Sequence, residues 1–324
     1  MKRSFGLGGL LLLMLSGAGG VAGQAPAQPR GSASKLSQAS SPTLKVEVNL
    51  VLVEVSVLDA HGQPVDNLRR EDFHVYEDGV EQPIRTFAHE ELPLAVALVI
   101  DNSSSVAAAL DELRSGTLET LDVLKPDDEV ALFSFAMQPE MVEGLTTNRQ
   151  ALAEDLWALS PYGGTDINDA LYEAAEYLGR TARDRRHAAI LVSDNEPSEP
   201  GSHGIPQIVR AALDSGTPIY SIKVGYMEHS KLFFMSHPET PLHDVEKVCR
   251  QSGGQLIDIR RGTSVSIAMK SILTWLKQGY TLGYSPTNLH QDGSFRHLAV
   301  RIETRTKGKY SIYAREGYYA PAAR

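Results

Sequence analysis

The chain has 324 residues, with 31 lysines and arginines against 40 aspartates and glutamates, for a net charge of −9. So acidic a surface disfavours nucleic acid and anionic membrane as partners. One cysteine, Cys249, leaves no internal disulfide, so packing must hold the fold.

Residues 1–23 read as a secretory leader. Lys2 and Arg3 precede a short apolar run, Leu10 to Leu15, and small residues follow up to a cut expected after Gly23. The run is too short for the roughly 20 residues of a spanning helix, although an uncleaved anchor is the other reading. With the leader removed, no transmembrane span is expected and the charge becomes −11. Residues 24–43, rich in Ala, Pro, Ser and Gln, read as a flexible linker that cannot bury enough surface to order itself. The protein is therefore expected outside the cytoplasm, periplasmic or extracellular.

Residues 44–90 form a β segment. Val46, Val48, Leu50 and Leu52 alternate, and Val51, Val53, Val55 and Val57 then take the other phase. That pattern predicts a long strand with a bulge or with both faces covered. DAHGQPV predicts a turn, and FHVYEDGVEQPI a hairpin closed at Asp78-Gly79.

From residue 91 to 278 the period changes. LPLAVALVID is apolar on both faces, as a central parallel strand would be. Val106, Leu110, Leu113, Thr117, Leu121 and Leu124 mark one helix face, stopped at Lys125-Pro126. Then follow DDEVALFSFA (strand), NRQALAEDLWAL and DINDALYEAAEYL (helices), RHAAILVSD (strand), GIPQIVRAALDSG (helix) and TPIYSIKVG (strand). DVEKVCRQSGG, QLIDI and SVSIAMKSILTWLKQ close the series as helix, strand and helix, with Cys249 at a buried position of the first. A dimer-forming thiol is the alternative for Cys249. Such alternation implies an α/β fold, a doubly wound and mostly parallel sheet.

Residues 279–324 return to strands in GYTLGYSP, SFRHLAVRIET and KYSIYAREGYYAP. Neither β flank has strands enough for its own core, so the two are expected to pair as one β-sandwich. Tyr280, Tyr284, Tyr313, Tyr318 and Tyr319 read as strand-packing aromatics, a carbohydrate platform being the sharper alternative.

In a doubly wound sheet, ligands bind outside the carboxyl ends of the strands. Asp101, Ser103 and Ser105 follow VALVI as D-x-S-x-S, Asp194 follows AAILVS, and Thr165 follows Gly163-Gly164 where a helix opens. Singly each could be a helix cap or a loop hydrogen-bonder. Together they offer hard oxygen donors, which suit Mg²⁺ first and Ca²⁺ or Mn²⁺ as well.

LVIDNSSSV, GGTDINDAL and ILVSDNEPS resemble the three metal-site loops of the von Willebrand factor A family, over residues 92 to about 278. The resemblance implies a Rossmann-like fold with a metal-ion-dependent adhesion site. It assigns Ser103, Ser105 and Thr165 as direct or water-bridged ligands, and Asp101 and Asp194 as carboxylates acting from behind or through water. One position departs from the family, Asn195 standing where Gly is common; Asn also tolerates left-handed backbone. VNLVLVEVSVLDAHGQPVDNL, EDFHVYEDGVEQPI and the closing REGYYAP are similar to exported A-domain-related proteins of acidobacteria.

The enzyme readings fail on residues. Position 103 is Ser where a haloacid dehalogenase-type site needs a second carboxylate, and no phosphate loop, nucleophile elbow or H-E-x-x-H occurs. A hydrolase remains a remote alternative, with no histidine nominated for it. The expectation is a cation site that binds a protein supplying an Asp or Glu, or else a structural factor of the cell envelope that the metal only stabilises. Residues 226–244, with His229, His237 and His243, read as a surface loop shaping partner choice, with a second metal site as the weaker alternative.

Overall fold

Eight consecutive residues, Leu94–Asp101, are all buried and form the strand on which the sheet is centred. The computed structural model describes residues 50–89, 92–225, 245–304 and 308–322. The expected leader, the linker, Val46, Val48 and the 226–244 loop with its three histidines lie outside the described residues.

Four strands precede the central one: β1 (Val51–Leu58), β2 (Phe73–Glu77), β3 (Val80–Gln82) and β4 (Ile84–Ala88). The α/β region runs β5 (Leu94–Asp101), α1 (Leu110–Leu121), β6 (Glu129–Phe135), β7 (Pro139–Thr146), α2 (Arg149–Ala158) and α3 (Ile167–Thr181). It continues through β8 (Arg186–Ser193), α4 (Ile205–Ser215), β9 (Ile219–Lys223), α5 (Val245–Ser252), β10 (Leu256–Asp258) and α6 (Val265–Lys277). The last strands are β11 (Tyr280–Tyr284), β12 (Phe295–Ile302), β13 (Ser311–Tyr313) and β14 (Gly317–Tyr319).

The central sheet has the order β10-β9-β8-β5-β6-β7. Every neighbouring pair in it is parallel except β6 with β7. Alternate residues of β5 serve two cores. Leu94, Val96, Leu98 and Ile100 pack with residues of α1, α2 and α6, whereas Ala95, Ala97 and Val99 pack under α3, α4 and α5. Each buried Val, Leu or Ile contributes about 1.5–3 kcal/mol, so this strand is apolar through its length because both faces are covered. The fold class is therefore doubly wound α/β. Strand β7 escapes the sequence pattern: its residues are half-buried or exposed, without clean alternation, and it opens on Pro139.

Two antiparallel sheets, ordered β13-β1-β11-β4 and β14-β12-β2-β3, enclose a third core and join both chain ends in one sandwich. β1 pairs with β11 through Val53↔Leu282, and β12 with β2 through Val300↔Val75. The β2–β3 hairpin turns on Asp78 (φ 47°) and Gly79 (φ 81°), the two left-handed residues that a tight two-residue turn requires. Tyr280 and Tyr284 are fully buried, and Tyr313, Tyr318 and Tyr319 pack at the edges of the cores.

β1 differs from its expected form. Val51, Val53, Val55 and Val57 are buried, but Leu50 and Leu52 are 44% and 49% exposed. Its pairing with β11 runs without a register shift. One face is covered, the other is open, and no bulge is needed. Cys249 is fully buried. Among the described residues no helix is long and apolar enough to cross a membrane.

Candidate functional site

Asp101 is the last residue of β5, and Asp194 follows β8, its neighbour in the sheet. Adjacent parallel strands thus deliver both carboxylates to the same edge. Asp101 is fully buried, Asp194 9% exposed, and Ser103 fully buried, while Ser105 is exposed.

Hydrogen bonds link four of the five expected residues. The Asp101 Oδ1 accepts from the Ser103 amide at 2.9 Å. The Ser103 and Ser105 hydroxyls are 3.0 Å apart, and Ser105 in turn donates to the Asp194 carboxylate. Thr165, 2% exposed, joins through its loop rather than by a side-chain bond to the others. Its amide donates to Ser198 Oγ at 2.8 Å, and its carbonyl accepts from the Ser198 and Glu199 amides of the loop that follows Asp194. The Ser104 amide donates to the Gly163 carbonyl, tying the serine loop to the threonine loop.

The glycine pair before Thr165 is there for space and backbone. Gly163 has φ +65°, and a side chain on Gly164 would meet Glu199 Oε1 at 2.4 Å and Ser198 Oγ at 2.7 Å. Asn195 takes the left-handed conformation at φ 59°, so the residue standing in place of Gly keeps the turn. Its side chain is held by Ser221 Oγ at 2.9 Å.

Ser193 is a participant that residue patterns did not single out. Its hydroxyl donates to Asp101 Oδ2 at 2.5 Å and accepts from the Asn195 amide at 3.0 Å. A fully buried serine closing an apolar strand was the available signal. Ser198 carried none, lying in a loop with no period.

Burial pushes the Asp101 carboxyl up to about 6, and the charge of Asp194 adds to the rise against the hydrogen bonds from Ser103 and Ser193. Asp194 is raised as well, chiefly by burial. Among the described residues no three His, Cys, Asp or Glu side chains form a metal-holding group. What converges instead is two carboxylates amid hydroxyls, an all-oxygen set with like charges close together. A hard divalent cation fits that set, because it would relieve the repulsion that raises Asp101.

Residues 96–196 match the family of von Willebrand factor type A domains. This chain contains a von Willebrand factor type A domain. The human inter-alpha-trypsin inhibitor heavy chain H4 is 26% identical over 160 residues, 44% of this chain and 17% of that protein, so the match spans a minor part of the relative. Among solved structures, a von Willebrand factor type A protein from Catenulispora acidiphila is 11% identical at a TM-score of 0.48, covering 86% of this chain and 76% of that one. An aerotolerance-related membrane protein from Bacteroides fragilis is 19% identical at a TM-score of 0.45, covering 56% of this chain and 98% of that one. The matched span runs from β5 to the turn after β8, and Asp101, Ser103, Ser105, Thr165 and Asp194 all fall within it.

Proposed function

We propose that the carboxyl edge of the A-type domain binds a divalent cation, Mg²⁺ most readily and Ca²⁺ or Mn²⁺ as well, through Asp101, Ser103, Ser105, Thr165 and Asp194. The observation that carries this reading is the pair of buried aspartates with the Asp101 pKa pushed up to about 6. Two buried carboxylates on neighbouring strands are costly without a counter-charge. Both Asp101 oxygens already accept hydrogen bonds, from Ser103 and Ser193. The hydroxyls of Ser103, Ser105 and Thr165 would therefore do most of the holding, and a cation held by neutral donors favours one more anionic ligand. We infer that a partner protein outside the cytoplasm supplies it as an Asp or Glu, and that the role is binding rather than catalysis.

Partner capture from a cell-envelope extract, with and without EDTA, tests the reading. Capture should require added cation and be lost in Asp101→Ala. A second reading has an observation of its own: Asp101 and Ser103 are fully buried and knit the loop after β5 to the loop after β8. On that reading the cation stabilises the fold alone. It would raise the melting temperature while EDTA left partner capture unchanged.

A further inference from the structure

The amino edge of the parallel sheet, opposite the candidate cation site, holds a cavity of about 330 Å³. That is the small end of the range for ligand pockets, about 300–1,000 Å³. It is walled by β1, the start of β9, the end of α6 and the chain between β13 and β14. Leu52, Val55, Tyr220 and Trp275 make its surface mostly apolar. A second hollow of about 510 Å³ adjoins it, and Leu52, Gly216 and Arg315 line both. Leu50 and Leu52, the open face of β1, and Leu289 at 78% exposure give this second hollow apolar walls.

The charge here runs against the rest of the chain. Four arginines, at 183, 185, 186 and 315, line the first cavity with two carboxylates, Glu54 and Asp184. Arg186 is accounted for: it pairs with Glu54 at 3.0 Å and donates to the Leu276 carbonyl and Thr281 Oγ1 at 2.8 and 3.1 Å. Arg315 is not. Its Nη1 and Nη2 donate to the carbonyls of Leu213 and Leu52 at 3.4 and 2.7 Å. Its Nε is closed off from water and meets no hydrogen-bond partner among the described residues. Glu54 and Asp214 favour its charged form and the Tyr318 ring lies 5.7 Å from the guanidinium carbon, yet among the described residues neither carboxylate pairs with it directly. A half-buried guanidinium hydrogen-bonded only to carbonyls gains when an anion joins it.

We propose that the junction at Arg315 binds a medium-chain aliphatic carboxylate, the carboxylate on Arg315 and the chain along the apolar walls beside Leu52. An acidic peptide fits less well, because a cavity of about 330 Å³ admits a short aliphatic chain more readily than a run of residues.

Calorimetric titration with sodium octanoate, below its micelle concentration and in EDTA, tests the assignment; EDTA removes any carboxylate binding at a cation. Octanoate should bind more tightly than hexanoate, by about three- to four-fold per methylene. Arg315→Gln should weaken octanoate about ten-fold or more and leave 1-octanol unchanged, since it removes the charge and keeps the cavity. Leu52→Trp should weaken both ligands by filling the junction. Octanoate binding no tighter than acetate, affinity unchanged in Arg315→Gln, or no heat of binding at all would overturn the proposal. Should Arg315→Gln fail to fold, the chain-length series and Leu52→Trp decide it.

Discussion

Two buried aspartates stand at opposite ends of β5, and their surroundings drive them in opposite directions. Asp128, 1% exposed, meets the first residue of the strand, accepting from the Leu94 amide at 2.8 Å. It also accepts from the Lys125 amide at 2.7 Å and pairs with Lys277 at 3.1 Å. Burial works to raise its pKa, but those two amides and Lys277 outweigh it and hold the carboxyl below its usual value. Asp101, at the last residue, is enclosed more deeply, has another carboxylate as its charged neighbour, and rises to about 6. Both are buried, but Asp101 lies deeper and its charged partner has the same sign. One carboxylate has its counter-charge beside it, and the other has none among the described residues.

The largest expected effect separates them by substitution. Asp128→Ala leaves Lys277 and two amides unpaired and should cost about 3–5 kcal/mol in denaturant unfolding. Asp101→Asn removes a like-charge repulsion, so cation-free stability at neutral pH should hold or rise, by on the order of 1–3 kcal/mol. A loss in Asp101→Asn equal to that in Asp128→Ala would erase the contrast.

Titration sharpens it. The Asp101 pKa is raised on folding, so its stabilising contribution is present at low pH and is lost as pH rises through about 6. The Asp128 pKa is lowered, so its contribution is present above the ordinary carboxylate pKa and is lost as pH falls through the lower folded value. Cation-free melting temperatures should therefore fall from pH 5 to 7 in the native protein and fall less in Asp101→Asn, where Asp194 is still raised by burial. They should fall again below pH 4, less steeply in Asp128→Asn, where Asp169 and Asp292 are still held low. A smaller effect lies next to the site. Asn195→Ala puts at φ 59° a residue that tolerates left-handed backbone less well than Asn and loses the bond to Ser221, costing about 1–2 kcal/mol; Asn195→Gly, keeping the turn, should cost less.

The sequence exposed these two ends unequally. Asp101, Ser103, Ser105, Thr165 and Asp194 could be named because each closes or opens an element whose period is plain. Four of them are joined by hydrogen bonds, and Thr165 is tied in through its loop. Asp128 could not be read, since nothing in KPDDEV says which aspartate turns inward to Lys277, some 150 residues on. Central strands and helices were legible because burial on two faces, or on one stripe, writes a period into the chain. Strand β7, with an edge position and half-covered residues, writes none. Leu50 and Leu52 misled for a related reason: alternating leucines imply a covered face, and theirs opens onto a hollow beside Arg315.

The central claim, that the buried pair at the carboxyl edge is a cation site, is met most directly by calorimetric titration with Mg²⁺ and Mn²⁺ at pH 7.5 and pH 5. Cation binding must displace the proton that burial and Asp194 hold on Asp101. The native protein should bind at pH 7.5, weaken by up to about ten-fold per pH unit below 6, and lose binding in Asp101→Ala. Affinity indifferent to pH and to Asp101→Ala, or no binding at pH 7.5, would contradict it.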